Sequence, residues 1–211
     1  MLPLWILPKL IGEEYMDTNN TIYFSKVRDN AIIPTKRDED AGYDVYACFD
    51  GDYIVIDIRD TVLIPTGIAS ALPKDKYIHI EERGSTGSIG MKKSAGIIDS
   101  GYRGEWFIAI TNCTYRPIIV SNLSKSDFIS LAYKDEDGDI YVTNDNGEKV
   151  YLSYTVTDES KEDFIFYPSS KAIAQAIVAP VLQIATDTIP YEDLKKITSE
   201  RGVGALGSSD K

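Results

Sequence analysis

Residues 83–105 carry the groups best suited to chemistry. They read Arg83-Gly84-Ser85-Thr86-Gly87-Ser88-Ile89-Gly90, then Met91-Lys92-Lys93-Ser94-Ala95, then Gly96-Ile97-Ile98-Asp99-Ser100-Gly101-Tyr102-Arg103-Gly104-Glu105. The first part puts one arginine, three hydroxyls and three glycines into eight positions. Small residues in succession let backbone N–H groups converge on an anion, so this part reads as a phosphate cradle. The last part runs two isoleucines into Asp99, turns at Ser100-Gly101 and presents Tyr102, which sets one carboxylate and one ring on a tight hairpin. Taken alone, the same residues also fit a Gly/Ser-rich surface loop followed by an ordinary hairpin.

Two distant stretches bear on that choice. Gln175 lies inside the apolar run from Lys171 to Pro180. Burying an amide without a partner costs roughly 1–3 kcal/mol, so Gln175 should be bonded to backbone or to a ligand oxygen. The last stretch, Arg201-Gly202 through Leu206-Gly207-Ser208-Ser209, repeats the cradle's composition. It would be mobile alone and could order over a bound phosphate chain, as a lid does.

The elements that must position these groups are strands. Ile22–Phe24, Val45–Ala47, Tyr53–Ile56, Val62–Ile64, Tyr77–Ile80 and Trp106–Ile110 are short, β-branched and aromatic, and are separated by Pro, Gly, Asp and Asn. That spacing predicts an all-β barrel or sandwich. Helical periodicity is nearly absent; only Pro190–Thr198 offers a short helix, with Thr188 as its cap, and a strand fits there equally. Residues 124–167 differ from their flanks in being acidic and polar, and Asn146-Gly147 between alternating apolar residues predicts a β-hairpin. The run from Asp135 is not a calcium loop, because its glycine comes fourth and its twelfth residue is Asn146.

Composition narrows the function. The 211 residues carry a net charge of −11, which argues against nucleic-acid binding through a basic face. Cys48 and Cys113 form no zinc or disulfide pattern and read as core filler in a reducing compartment. His79 alternates with isoleucines and reads as a strand position without a catalytic role. Met1–Gly12 is apolar but too short to span a bilayer and lacks the features of a signal, so it reads as a docking arm or a non-native extension, with no membrane association.

Five segments in order resemble the trimeric dUTPase family: Ala41-Gly42-Tyr43-Asp44-Val45, Arg83-Gly84-Ser85-Thr86, Gly96 through Gly104, Ile173-Ala174-Gln175, and Arg201-Gly202 through Ser209. The resemblance spans residues 22–123 and 168–211. It implies a jelly-roll-like distorted β-barrel over 21–123 and 168–211, an N-terminal extension at 1–20, and an inserted hairpin at 124–167. It also implies a homotrimer with active sites at subunit interfaces, acting on dUTP in the cytoplasm, or in a host's cytoplasm for a viral source.

Carried over by residue, Asp99 would deprotonate the water that attacks the α-phosphorus. Tyr102 would lie under the deoxyribose, and the arm from Lys93 to Ile98, Gly96 included, would read uracil through backbone groups. Arg83, Gly84, Ser85, Thr86 and Gln175 would hold phosphate oxygens. Asp44 would hold waters on a Mg²⁺ bound by the triphosphate, and Arg201, Leu206, Gly207, Ser208 and Ser209 would close as the lid.

Four positions depart from the family's pattern. Gly84 precedes Ser85, Lys93 stands for asparagine or glycine, and Ser170-Lys171-Ala172 replaces a glycine-acid-arginine run. Leu206 replaces the lid phenylalanine, with Trp106 or Phe107 as candidate substitutes. The alternatives are a dCTP deaminase of the same fold, which would need a glutamate base, or a regulatory module binding a protein partner through 124–167.

Overall fold

The computed structural model describes residues 20–153, 163–200 and 202–203. The N-terminal arm Met1–Gly12 and the expected lid residues Arg201, Leu206, Gly207, Ser208 and Ser209 lie outside the described residues.

The body is built from β1 (Tyr23–Lys26), β2 (Gly42–Tyr46), β3 (Tyr53–Ile56), β4 (Thr61–Pro65), β5 (Ile68–Ala71) and β6 (Lys76–Glu81). A helical turn α1 (Gly84–Gly87) leads into β7 (Met91–Lys93), β8 (Ile97–Ile98), β9 (Phe107–Asn112) and β10 (Ile118–Ser121). The insert holds α2 (Lys125–Leu131), β11 (Tyr133–Lys134), β12 (Ile140–Thr143) and β13 (Lys149–Ser153). After it come β14 (Ile165–Pro168), β15 (Ala172–Pro180) and the short α3 (Tyr191–Leu194). The all-β expectation holds.

The sheet that matters for function has the order β2-β15-β6-β8 and is antiparallel throughout. Period-2 alternation divides its faces. Ile78 and Ile80 on β6 and Ala174 and Ala176 on β15 are buried in the main core, with Val45, Ile56, Ile64, Trp106 and Ile108. Tyr77, His79 and Glu81 alternate with the two isoleucines and take the opposite face, so His79 is a strand position as expected.

The sheet β14-β10-β3 explains why some strands read as unbroken apolar runs. Ile118 and Val120 enter the main core, while the intervening Ile119 enters a second core with Val55, Phe128, Val142, Val150, Leu152 and Phe164. That second core belongs to the insert. The expected hairpin is present as β12 and β13, turning at Asn146-Gly147 with Gly147 at φ 78°. A helix and a third strand accompany it. Helix α2 was not expected; Ser124 caps it by accepting from the Asp127 N–H at 3.2 Å, a Ser-x-x-Asp start that the sequence displays.

Four expectations need correction. The Gly/Ser-rich cradle is a helical turn rather than an open loop, because the Gly87 and Ser88 N–H groups bond back to the Arg83 and Gly84 carbonyls. Cys48 is buried but Cys113 is exposed, so only the former is core filler. Trp106 is 1% exposed and packs edge-on against Phe24, which removes it as a cover for a bound base, whereas Phe107 is exposed. Helix α3 forms inside Pro190–Thr198, but its N-cap is Pro190 and not Thr188.

Residues 182–211 form a second compact unit, separate from 1–181. Within it, Lys195 pairs with Glu192 at 2.6 Å and Lys196 with Asp193 at 2.7 Å across α3.

Candidate active site

The cradle is assembled across three neighbouring strands. Asp44 on β2 stands opposite Gln175 on β15, and Gln175 stands opposite Glu81 on β6. Two residues beyond Glu81 the chain reaches Arg83, whose guanidinium turns back onto Asp44 with Nε–Oδ1 2.9 Å and Nη2–Oδ2 3.3 Å. A half-exposed ion pair adds little stability, but two parallel bonds fix the plane of the guanidinium. Gln175 Nε2 donates to the Glu82 carbonyl at 2.9 Å, so its amide is partnered as expected. A Cβ at Gly42 would lie 3.1 Å from Gln175 Cβ and 3.2 Å from Oε1, so glycine there keeps the amide in place.

An open cleft of about 770 Å³ is lined by Arg83, Gly84, Ser85, Asp44 and Gln175, together with Lys36 and Arg37. The two cations were missed by the sequence reading; their signal is the charged run Lys36-Arg37-Asp38-Glu39-Asp40 just ahead of Ala41-Gly42. Arg37 hydrogen-bonds Asp40 at 2.9 Å and holds that carboxyl below the usual carboxylate range. Lys36 Nζ donates to the Asp40 carbonyl at 3.0 Å. Thr86 is corrected: it is fully buried, and its hydroxyl accepts the Arg83 N–H at 3.0 Å and donates to the Arg83 carbonyl at 3.1 Å. It shapes the turn and does not face the cleft.

The hairpin is a self-contained unit. The Ile80 N–H donates to the Gly96 carbonyl at 2.7 Å, and a Cβ at Gly96 would come within 2.8 Å of the Ile80 oxygen. Ile98 is buried, so it can meet a ligand only through its backbone. Asp99 is exposed, and the Tyr102 N–H donates to its carbonyl at 3.1 Å to close the turn. The Tyr102 hydroxyl donates to the Glu105 carbonyl at 3.0 Å, and its ring lies over Gly104. Arg103 Nη1 donates to the Ser100 carbonyl at 2.6 Å and the Tyr102 carbonyl at 2.8 Å, so the turn's only arginine braces backbone. Lys93 turns to His79, with Nζ–Nε2 3.4 Å, and to Glu81, with Nζ–Oε2 3.6 Å.

The two halves do not meet within one chain. Ile98 pairs with Ile78 and Ile97 with His79, so Asp99 continues the register to Tyr77. Arg83 lies six residues farther along β6, about 20 Å at roughly 3.3 Å per residue. Cradle and carboxylate occupy opposite ends of one sheet.

Comparison with known proteins agrees with this arrangement. A family model described as dUTPase matches residues 28–126. A deoxyuridine 5'-triphosphate nucleotidohydrolase of Leptospira interrogans is 36% identical over 95 residues, covering 43% of this chain and 65% of the relative. The enzyme of the same name from camelpox virus is 32% identical over 104 residues, covering 47% of this chain and 69% of the relative. The chain belongs to the dUTPase family. It spans about two thirds of the length of these relatives.

Among solved structures, the Staphylococcus bacteriophage 80alpha dUTPase with dUpNHpp superposes with a TM-score of 0.59 at 22% identity, covering 90% of this chain and 98% of the phage protein. The dUTPase of S. aureus phage phi11, described with a structural Mg(II) ion, gives a TM-score of 0.53 at 20% identity, covering 81% and 97%. At these identities the likeness speaks for the fold. In this dUTPase-family chain no helix among the described residues is long and apolar enough to cross a membrane.

Proposed function

We propose that the protein hydrolyses dUTP to dUMP and diphosphate. The observation that carries this reading is the pairing of two half-sites on one sheet: a cradle with Arg83 pinned to Asp44 beside Gln175, and an exposed Asp99 on a braced turn. A single chain leaves them about 20 Å apart at roughly 3.3 Å per residue, so a working site needs a second copy to bring its hairpin to this chain's cradle. A homotrimer meets that need.

In the assembled site, Arg83 and Ser85 bind the phosphate chain, with Gln175 beside them, and concentrate positive and hydrogen-bonding groups where charge develops. Asp99 of the adjoining hairpin takes a proton from the attacking water; hydrogen-bond reach to that water is the requirement for a general base. Tyr102 packs under the deoxyribose, and the carbonyl and N–H groups between Lys93 and Ile98 read the uracil edge.

Magnesium fits only one way. Among the described residues no three His, Cys, Asp or Glu side chains form a metal cluster, and both Asp44 oxygens are taken by Arg83. A hard cation carried by the triphosphate and touching Asp44 through its own waters suits this donor set. When bound, the ion would neutralise phosphate charge; Asp44 would orient its water shell.

The insert, with a core of its own, supports a protein-binding role apart from the chemistry. The deciding experiment is product analysis with dUTP, dCTP, dTTP and UTP, each with Mg²⁺ and with chelator. Diphosphate from dUTP alone, abolished by chelator, is expected. Ammonia released from dCTP would replace this reading with a deaminase, and no product from any of the four would overturn it.

A further inference from the structure

Tyr167 falls outside every segment that resembles the family, yet its side chain ends beside the cradle. Its ring sits in the main core on β14, which runs parallel to β10 with Tyr167 opposite Val120. Its hydroxyl donates to the Ala172 carbonyl at 2.7 Å. That carbonyl opens β15 at a slip in the ladder, where Ala172 faces Tyr46 and Ala174 faces Val45. A bulge takes backbone groups out of their pairing, and a buried carbonyl then needs another donor. The phenol supplies it.

The same oxygen lies close to the cradle. Burial pushes the Tyr167 pKa up, while the nearby Ser85 and Arg83 side chains oppose that shift by favouring the ionised form. One buried hydroxyl therefore adjoins the arginine and the serine of the cradle and bonds the first residue of β15. Three residues farther along that strand is Gln175. The family's pattern has an arginine at position 172; here the short Ala172 side chain is buried, and a phenol arrives from the preceding strand instead.

On the dUTPase reading above, we infer that Tyr167 is a positioning residue of the phosphate cradle: its hydroxyl ties Arg83 and Ser85 to the start of β15, fixing their spacing from Gln175. It touches no substrate atom. It sets where the phosphate-binding groups stand, and so acts on binding of the triphosphate chain rather than on the chemical step.

The test is Tyr167→Phe in the full chain, measured with dUTP turnover and with two non-reacting probes, inorganic triphosphate and deoxyuridine. The expected result is a KM for dUTP raised about tenfold with kcat held within about twofold. Binding of inorganic triphosphate should weaken by the same factor and binding of deoxyuridine should not change. A variant that melts earlier but binds inorganic triphosphate like the wild type would overturn the inference, leaving Tyr167 a core residue.

Should Tyr167→Phe fail to fold, the double variant Tyr167→Ile with Ala172→Arg restores the family's arrangement. Triphosphate binding close to wild type would support the inference, and its loss would overturn it. A wild-type protein without dUTP turnover would count against the function proposed above. Triphosphate binding would still report on Tyr167.

Discussion

The two ends of the sheet β2-β15-β6-β8 are built on opposite principles. At the cradle end, side chains hold one another: Arg83 to Asp44, Gln175 to the Glu82 carbonyl, Arg37 to Asp40. At the hairpin end the backbone is braced, through Ile80 to Gly96, Tyr102 to Asp99 and Arg103 to Ser100, while the Asp99 carboxylate projects from the turn. A group that must bind a flexible polyanion gains from being fixed beforehand. A base must instead be carried to its substrate on a rigid support. The difference teaches which contacts each end can lose.

The largest effect should come from the projecting carboxylate. Asp99→Asn keeps the turn, since only the Asp99 carbonyl is used there, and should lower kcat for dUTP by at least about a thousandfold, roughly 4 kcal/mol at 1.4 per tenfold. The melting temperature and the affinity for inorganic triphosphate should stay at wild-type values. A matching loss of triphosphate affinity would mean that Asp99 belongs to the cradle.

Arg83→Ala strikes the other end and frees Asp44, with an expected loss of about a hundredfold in kcat/KM, mostly in KM. Arg83→Lys should recover part of it, as a point charge without the two-bond fork. The sharper experiment mixes the two defective proteins. If each site takes its cradle from one copy and its hairpin from another, refolding Asp99→Asn with Arg83→Ala restores sites intact in both halves, and activity returns to a fraction set by the mixing ratio. Continued inactivity would place both groups in one chain's site and defeat the shared-site reading.

A smaller effect is expected under the tyrosine. A Cβ at Gly104 would stand 2.4 Å from the Tyr102 hydroxyl and 2.6 Å from its Cζ, so Gly104→Ala must move the ring. With its floor displaced, the sugar pocket should admit a 2′-hydroxyl, and the ratio of kcat/KM for dUTP over UTP should fall about tenfold. An unchanged ratio would remove Tyr102 from sugar recognition.

The same contrast explains what the sequence made legible. The hairpin was readable almost completely, because a turn held by backbone is written in local residue types: Gly96, Asp99, Ser100-Gly101, Tyr102. The cradle was readable in membership but not in shape. That Gly84–Gly87 winds into a helical turn, and that Thr86 spends its hydroxyl on Arg83, depends on Arg83 being drawn back to Asp44 from another strand. Lys36, Arg37 and Tyr167 were missed because their approach to the cleft is set by tertiary pairing. Helix α2 is a plainer miss. Its cap at Ser124 was in view, but seven residues give little periodicity, and an acidic, polar surrounding masked Phe128, the one side chain the helix buries.

Glu82 joins the two ends and offers the finest test. Its carboxylate accepts the Lys93 N–H at 3.2 Å on the hairpin side, and its carbonyl accepts Gln175 on the cradle side. Burial pushes its pKa up, but its own amide, the Lys93 amide and the charges of Lys92 and Lys93 outweigh that and leave it below the ordinary 4.5. A depressed folded-state pKa contributes stability that is present above the unfolded value and is lost as pH falls through the folded value. Glu82→Gln should therefore lower the melting temperature slightly at pH 7, and the gap to wild type should close as the pH drops below about 4.5. At pH 7 the variant should also lose a little at both ends, with KM for dUTP and the dUTP/UTP ratio each moving less than about threefold. If only one of the two moves, the ends are independent and Glu82 serves just one of them.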